Sequence, residues 1–249
     1  MYKEYRPSGS LSNYIDAYWS NETDNTHQTV INRILPDTCT DIIVNFGSSI
    51  HTSNIENTLL EGGKCYLLGT MTRFSEVTIQ ANTKLFGIRF KPFALRSLLG
   101  FSLCGMSNKR IELSRAEFDF RKFFSPTHDT ADQNALNSFF TNKISSRDGF
   151  FGVLDSISHS GGTISVTTLA IKHYTTERQL ERIFREKTGI TVKEFCCQVR
   201  LMKALQVLKS KDKNQSLLQT AIEIGFYDHA HLNNSIKKYT GHPPSFFIE

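Results

Sequence analysis

A plan used twice near the C-terminal end limits the fold of this chain more than anything else in it. Each copy is a short helix, a tight turn, a capped second helix and a glycine stop. The later copy runs from Ser216 to Phe247, SLLQTAIEIGFYDHAHLNNSIKKYTGHPPSFF. Ser216 and Gln219 have capping-box spacing, which starts a helix. Leu217, Ala221 and Ile224 give it apolar positions, and Gly225 ends it. Asp228 is placed to cap a second helix, whose Leu232, Ile236 and Tyr239 form one apolar stripe. On a 3.6-residue period, Ala230, Asn233, Asn234 and Lys237 lie on the opposite face. Gly241 closes this helix and Pro243-Pro244 prevents its extension.

The earlier copy, Ile164 to Lys187, reads ISVTTLAIKHYTTERQLERIFREK. Val166, Leu169 and Ala170 pattern its first helix, and Thr176 with Gln179 makes another capping box. The second helix is expected to bury Leu180, Ile183 and Phe184, which leaves Arg178, Glu181, Arg182 and Arg185 on its far side. Gly189 stops it. Between the copies, Val192 to Ser210 spaces Phe195, Val199, Met202, Leu205 and Leu208 for one buried face of a connecting helix. At 1.5 Å per residue that helix spans about 28 Å. One DNA turn is roughly 34 Å, so the spacing predicts two outer helices seated in successive major grooves.

These residues carry a family resemblance. Leu169-Ala170, Arg178 to Arg182 with Phe184, Gly189, Arg200-Leu201 with Ala204, Ala221, Gly225 to Asp228, Lys237, Tyr239, Gly241 and Pro244 keep one order and spacing. The run resembles the DNA-binding domain of AraC/XylS-type transcription regulators. That implies a sequence-specific regulator, most often an activator, with double-stranded DNA and RNA polymerase as partners. The sequence departs from the family pattern in places. Tyr174 stands where the family often has Gly, Ile236 where it often has Phe, and Asn234 where it often has Arg. The last two predict a weaker grip for the second unit.

The charge follows the same division. Gly161 to Glu249 holds 13 Lys+Arg against 8 Asp+Glu, whereas Met1 to Ser160 balances at 16 of each. The net excess of +5 therefore sits with the helix pairs, where a phosphate-facing surface needs it. Ser158-His159-Ser160-Gly161-Gly162 is the expected boundary, which gives domains 1–160 and 161–249.

Before that boundary the texture differs. Asp41 to Gly47, Cys65 to Gly69 and Leu85 to Phe90 look like strands ending at turns. Leu95 to Leu99, Glu112 to Phe124, Ala131 to Ile144 and Phe150 to Ile157 have helical spacing. The expected class is thus α+β: a β-rich unit with trailing helices, then an all-α unit. Leu35-Pro36-Asp37 with Asp41-Ile42-Ile43, Leu68-Gly69 with Thr72-Arg73, and Gly87 to Pro92 resemble the cupin-like N-terminal domains of a subset of these regulators. That resemblance implies a domain that senses a small-molecule effector or pairs two chains into a homodimer. Phe93 stands where Gly is common and is expected to narrow any opening there.

Other chemistry is weakly supported. The histidines before Ser160 (His27, His51, His128, His159) form no H-x-H pair, and His229 and His231 point about 200° apart on a helix, so no metal is expected. No phosphate-binding glycine loop or hydrolase elbow occurs, so no catalytic residue and no cofactor are expected. The five cysteines include no C-x-x-C pair, which fits reduced thiols in a cytoplasmic protein. Cys196 and Cys197 are expected to pack structurally. No apolar run approaches 18 residues, so no membrane association is expected. Trp19, Arg33, Asp41 and Arg89 are expected to be buried for structural reasons. The competing reading is a small-molecule-binding protein whose helical third is a dimerisation or partner module.

Overall fold

The computed structural model describes residues 1–53, 59–123, 132–144, 150–209 and 221–248. Its strands are β1 Tyr2–Tyr5, β2 Ile15–Glu22, β3 Val30–Ile34, β4 Thr40–Asn45, β5 Ile50–His51, β6 Leu59–Leu60, β7 Lys64–Leu68, β8 Ser75–Ile79, β9 Lys84–Phe90 and β10 Arg110–Leu113. Six of them make one sheet in the order β1-β2-β9-β4-β7-β10, while β3–β8 and β5–β6 pair separately. The three stretches legible as strands, now β4, β7 and β9, lie side by side within the large sheet. Ile42-Ile43-Val44 runs without a polar break because both faces of the sheet are covered. Ile42 and Val44 join Tyr18, Leu67, Ile88 and Phe90 against α1 (Ala94–Leu99) and α2 (Gln133–Thr141). Ile43 joins Trp19, Ile50, Leu60, Tyr66 and Leu85 on the opposite face.

That opposite face borders a cavity of about 500 Å³, which residues of β3 and β8 also line. Arg89, Asp41, Leu68 and Arg110 stand in one register row across β9, β4, β7 and β10, and all four line the cavity. The Trp19 indole lies over Gly87, where a Cβ would come within 2.1 Å of the ring. From there its Nε1–H donates to Asp41 Oδ1 at 2.9 Å. Arg89 Nε is 3.4 Å from Asp41 and 3.6 Å from Asp37, so one guanidinium serves two carboxylates. Burial pushes the Asp41 carboxyl up to about 6, with Arg89 opposing.

A carboxyl whose folded pKa exceeds its unfolded value contributes stability that is fully present below the unfolded pKa, near 4, and is lost as pH rises through about 6. Asp41→Asn removes that titration. The stability of the natural chain relative to the Asn variant is therefore expected to fall between pH 4 and pH 7, measured by urea unfolding. A constant difference would refute the assignment.

Among the described residues, one expected helix is absent. Glu112 to Phe124 has helical spacing, yet Arg110–Leu113 forms β10, in register with Leu68 to Cys65 of β7. Ser114 then donates its backbone N–H and hydroxyl to Glu117 Oε2, closing a turn, and Phe120–Phe123 is a short 3-10 turn. Phe118, Phe120 and Phe123 are buried in the sheet's core, so tertiary packing outweighs the local pattern.

Further along the chain lie α3 Phe151–His159, α4 Val166–Lys172, α5 Glu177–Thr188, α6 Val192–Lys209 and α7 His229–Thr240. They build two further cores. One gathers Val153, Ile157, Leu169, Leu180, Phe184 and Phe195. The other gathers Leu201, Leu205, Leu208, Ala221, Ile224, Leu232, Ile236 and Tyr239. Phe93 belongs to the first of these and does not line the cavity. Its ring lies 4.7 Å from Phe150 and 5.2 Å from Phe184, so it joins the β-rich unit to the helices instead of narrowing an opening.

Candidate nucleic-acid interface

Local chemistry sets each helix of the duplicated plan. Ser165 Oγ accepts from the Thr168 N–H at the start of α4. Thr176 Oγ1 accepts from Gln179 N–H at 3.2 Å to begin α5, and Asp228 Oδ1 accepts from His231 N–H at 2.7 Å to begin α7. Gly189 and Gly241 close α5 and α7 in the left-handed region. Residues 221–223 are helical ahead of Gly225, while Ser216, Leu217 and Gln219 lie outside the described residues. A capping box also starts α6, where Thr191 and Glu194 exchange hydrogen bonds at 2.8–3.1 Å.

Leu180 and Phe184 are buried and Ile183 is half-buried, so α5 turns a charged face outward. Arg178, Arg182 and Arg185 are exposed on it. Glu181 differs: it is half-buried, and its Oε2 is shielded with no hydrogen-bond partner among the described residues. On α7, Ala230, Asn234 and Lys237 are exposed and Asn233 is half-buried.

The connector α6 buries more than the expected single stripe. Val199 and Met202 are half-buried, whereas Gln198, Leu201 and Ala204 are buried. The cause is that α6 serves both helical cores, with Phe195 in one and Leu201, Ala204 and Leu208 in the other. Cys196 is buried and Cys197 exposed, so only the first fits the structural expectation. Burial pushes the Cys196 thiol up to about 11. Arg200 ties the assembly, donating to Gly162 O at 2.7 Å and Gly225 O at 3.0 Å. Gly162 (φ +76°) is no slack linker, since a Cβ there would lie 2.1 Å from the Cys196 carbonyl of α6.

The C-terminal ends of α5 and α7 both rest on the β-rich unit. Leu103 N–H donates to Glu186 O at 2.8 Å, and Arg96 pairs with Glu186 at 2.8 Å. Near the other, the Tyr239 hydroxyl donates to Pro36 O and Arg33 Nη1 donates to Thr240 O at 3.3 Å. Arg33 is thus only partly buried and bridges the two parts of the chain, while Trp19, Asp41 and Arg89 line the cavity. Gln198 of α6 donates to Met71 O at 2.9 Å. No spacing in the sequence signals these long-range contacts.

His229 and His231 are both exposed at the start of α7. Among the described residues no group of three or more His, Cys, Asp or Glu is placed to hold a metal, and no helix is long and apolar enough to cross a membrane.

A helix-turn-helix domain model matches residues 169–249, and a domain of unknown function (DUF6597) matches residues 3–112. The chain is 33% identical over 86 residues to the probable transcription factor PqrA of Proteus vulgaris, covering 34% of this chain and 69% of that protein. It is 29% identical over 105 residues to the Msm operon regulatory protein of Streptococcus mutans, covering 41% of this chain and only 37% of that longer relative. Among solved structures, ToxT from Vibrio cholerae matches with a TM-score of 0.46 at 13% identity, over 88% of this chain and 97% of that one. The DNA-binding domain of AdpA, solved with a target DNA, matches with a TM-score of 0.37 at 24% identity, over 41% of this chain and 90% of that one.

Proposed function

The chain belongs to the AraC-type helix-turn-helix transcription regulators, and from that premise we propose that it binds double-stranded DNA with α5 and α7 as paired reading helices. The observation that carries this is the exposure of Arg178, Arg182 and Arg185 on α5, and of Asn234 and Lys237 on α7, on two capped helices joined by α6. At 1.5 Å per residue α6 spans about 27 Å, near the rise of one DNA turn. Guanidinium groups hold guanine O6 and N7, asparagine reads adenine, and lysine neutralises phosphate.

In this reading the protein is a cytoplasmic regulator, most simply an activator that contacts RNA polymerase. Its helical unit begins at the Gly161-Gly162 turn, and the β-rich unit is the sensor. The cavity of about 500 Å³, apolar for most of its wall with a charged row across it, suits a small-molecule effector. Pairing of two chains through the β-rich unit is the other route by which that unit would act on DNA binding. No catalytic step is assigned.

Selection of binding sites from random DNA with the full-length chain tests the reading. Enrichment of one defined sequence is expected, with an affinity that falls steeply as salt rises. Failure to enrich any sequence, with no salt-dependent binding, would favour the helical third as a partner module.

A further inference from the structure

Among the described residues, two non-glycine residues in the left-handed region carry aromatic side chains, Phe93 (φ +70°) and Tyr174 (φ +51°). A Cβ makes that conformation costly, so it persists only where the surroundings over-determine it. At Phe93 the fold supplies the reason, since its ring is buried among Phe150, Phe184 and Phe195. At Tyr174 it supplies a reason for the backbone, the left-handed C-cap that closes α4, but none for the ring. The side chain is 100% exposed, while the backbone is pinned by Tyr174 N–H donating to Ile171 O at 3.2 Å and Thr175 N–H to Ala170 O at 3.0 Å. The turn therefore holds an aromatic ring in solvent at the expense of backbone comfort.

The second unit repeats the presentation. Tyr227 is 90% exposed, directly ahead of the Asp228 cap of α7, as Tyr174 stands two residues ahead of the Thr176 cap of α5. The His231 ring stacks on Tyr227 at 5.7 Å, which limits where its phenol points. A phenol is a neutral donor with an apolar body, suited to a phosphate oxygen beside a sugar face.

We propose that Tyr174 and Tyr227 are a matched pair of DNA-backbone anchors, each donating its hydroxyl to a phosphate at the edge of the groove that its helix enters. This rests on the DNA-binding reading above. A neutral donor releases no counterion, so the anchors add affinity without adding to the salt slope.

The test uses the full-length chain and its selected DNA. Tyr174→Phe and Tyr227→Phe are each expected to weaken binding about 3- to 10-fold, with base preference and salt slope unchanged, whereas Lys237→Gln lowers the slope by about one. Tyr174→Gly relieves the left-handed strain, so its melting temperature should rise by about 2–4 °C while its affinity falls by at least tenfold. Opposite movement of stability and affinity is the signature of a residue kept for its partner. If the natural chain binds and the Phe variants bind as tightly, the anchors are refuted and the DNA reading stands. Altered base preference would make these residues base readers and refute the proposal equally. If the natural chain selects no DNA, the functional reading itself fails and takes this inference with it.

Discussion

Truncating Phe184 to alanine is expected to lower the unfolding free energy by about 3–5 kcal/mol, the range for removing a fully buried phenylalanine. The ring is 0% exposed and sits where three segments meet. It lies 5.2 Å from Phe93 of the β-rich unit, 5.5 Å from Phe150 ahead of α3 and 5.5 Å from Phe195 of α6. These rings meet edge-on, at interplanar angles of 63–82°, and no neighbour can slide in to close the gap without losing its own contacts. Because Phe184 belongs to α5, the loss also loosens the seat of the arginine-bearing helix. Urea unfolding should show a lower midpoint at an unchanged slope. Phe184→Leu, which keeps most of the apolar volume, should cost less than half as much. An alanine variant within about 1 kcal/mol of the natural chain would mean that the cluster collapses freely and does not seat α5.

What the sequence made legible is local. Thr176, Asp228, Gly189, Gly225 and Gly241 act within four residues of themselves, so their caps and stops follow from residue type and spacing alone. The strands at Asp41, Cys65 and Leu85 were legible for a similar reason, each being an apolar run bounded by turn residues. What was not legible depends on partners far along the chain. Glu112 to Phe124 has a helix's spacing, but pairing with β7 and burial of three phenylalanines in the sheet's core decide otherwise. The period of α6 fails because two cores draw on it, so Gln198 is buried where the pattern allows a polar exposed residue. Phe93 passed for a narrowed opening and is instead a bridge.

The candidate site divides in the same way. Its outward residues follow from period alone, and all are exposed except Glu181 and Asn233. Period gives direction but not depth: Glu181 is half-buried, with its Oε2 shielded. The support beneath the site, from Arg33, Pro36, Met71 and Leu103, was invisible because each contact joins residues more than 80 positions apart. The wall of the cavity contains Met71 and Asp37, and the first offers its carbonyl to α6 while Pro36, next to the second, offers its carbonyl to α7.

If α5 and α7 read DNA as proposed, their shares of the work follow from what each presents. The outward face of α5 offers three exposed guanidinium groups, Arg178, Arg182 and Arg185, each able to make two hydrogen bonds to one guanine. On α7 the exposed Ala230 supplies only apolar contact, Asn233 is half-buried, and Asn234 and Lys237 remain for a base or a phosphate. The upstream unit is therefore expected to supply most of the specificity, and the downstream unit to position the protein on the backbone. Arg182→Ala should cost about 1–3 kcal/mol of binding, roughly 5- to 150-fold, and relax base preference at one position. Asn233→Ala should cost less and leave preference nearly unchanged, because its side chain is half-buried. Sites selected from random DNA should show one well-defined half about a helical turn from a weaker one. Two equally sharp halves, or a sharper downstream half, would overturn this division and place base reading on Asn234 and Lys237 as well.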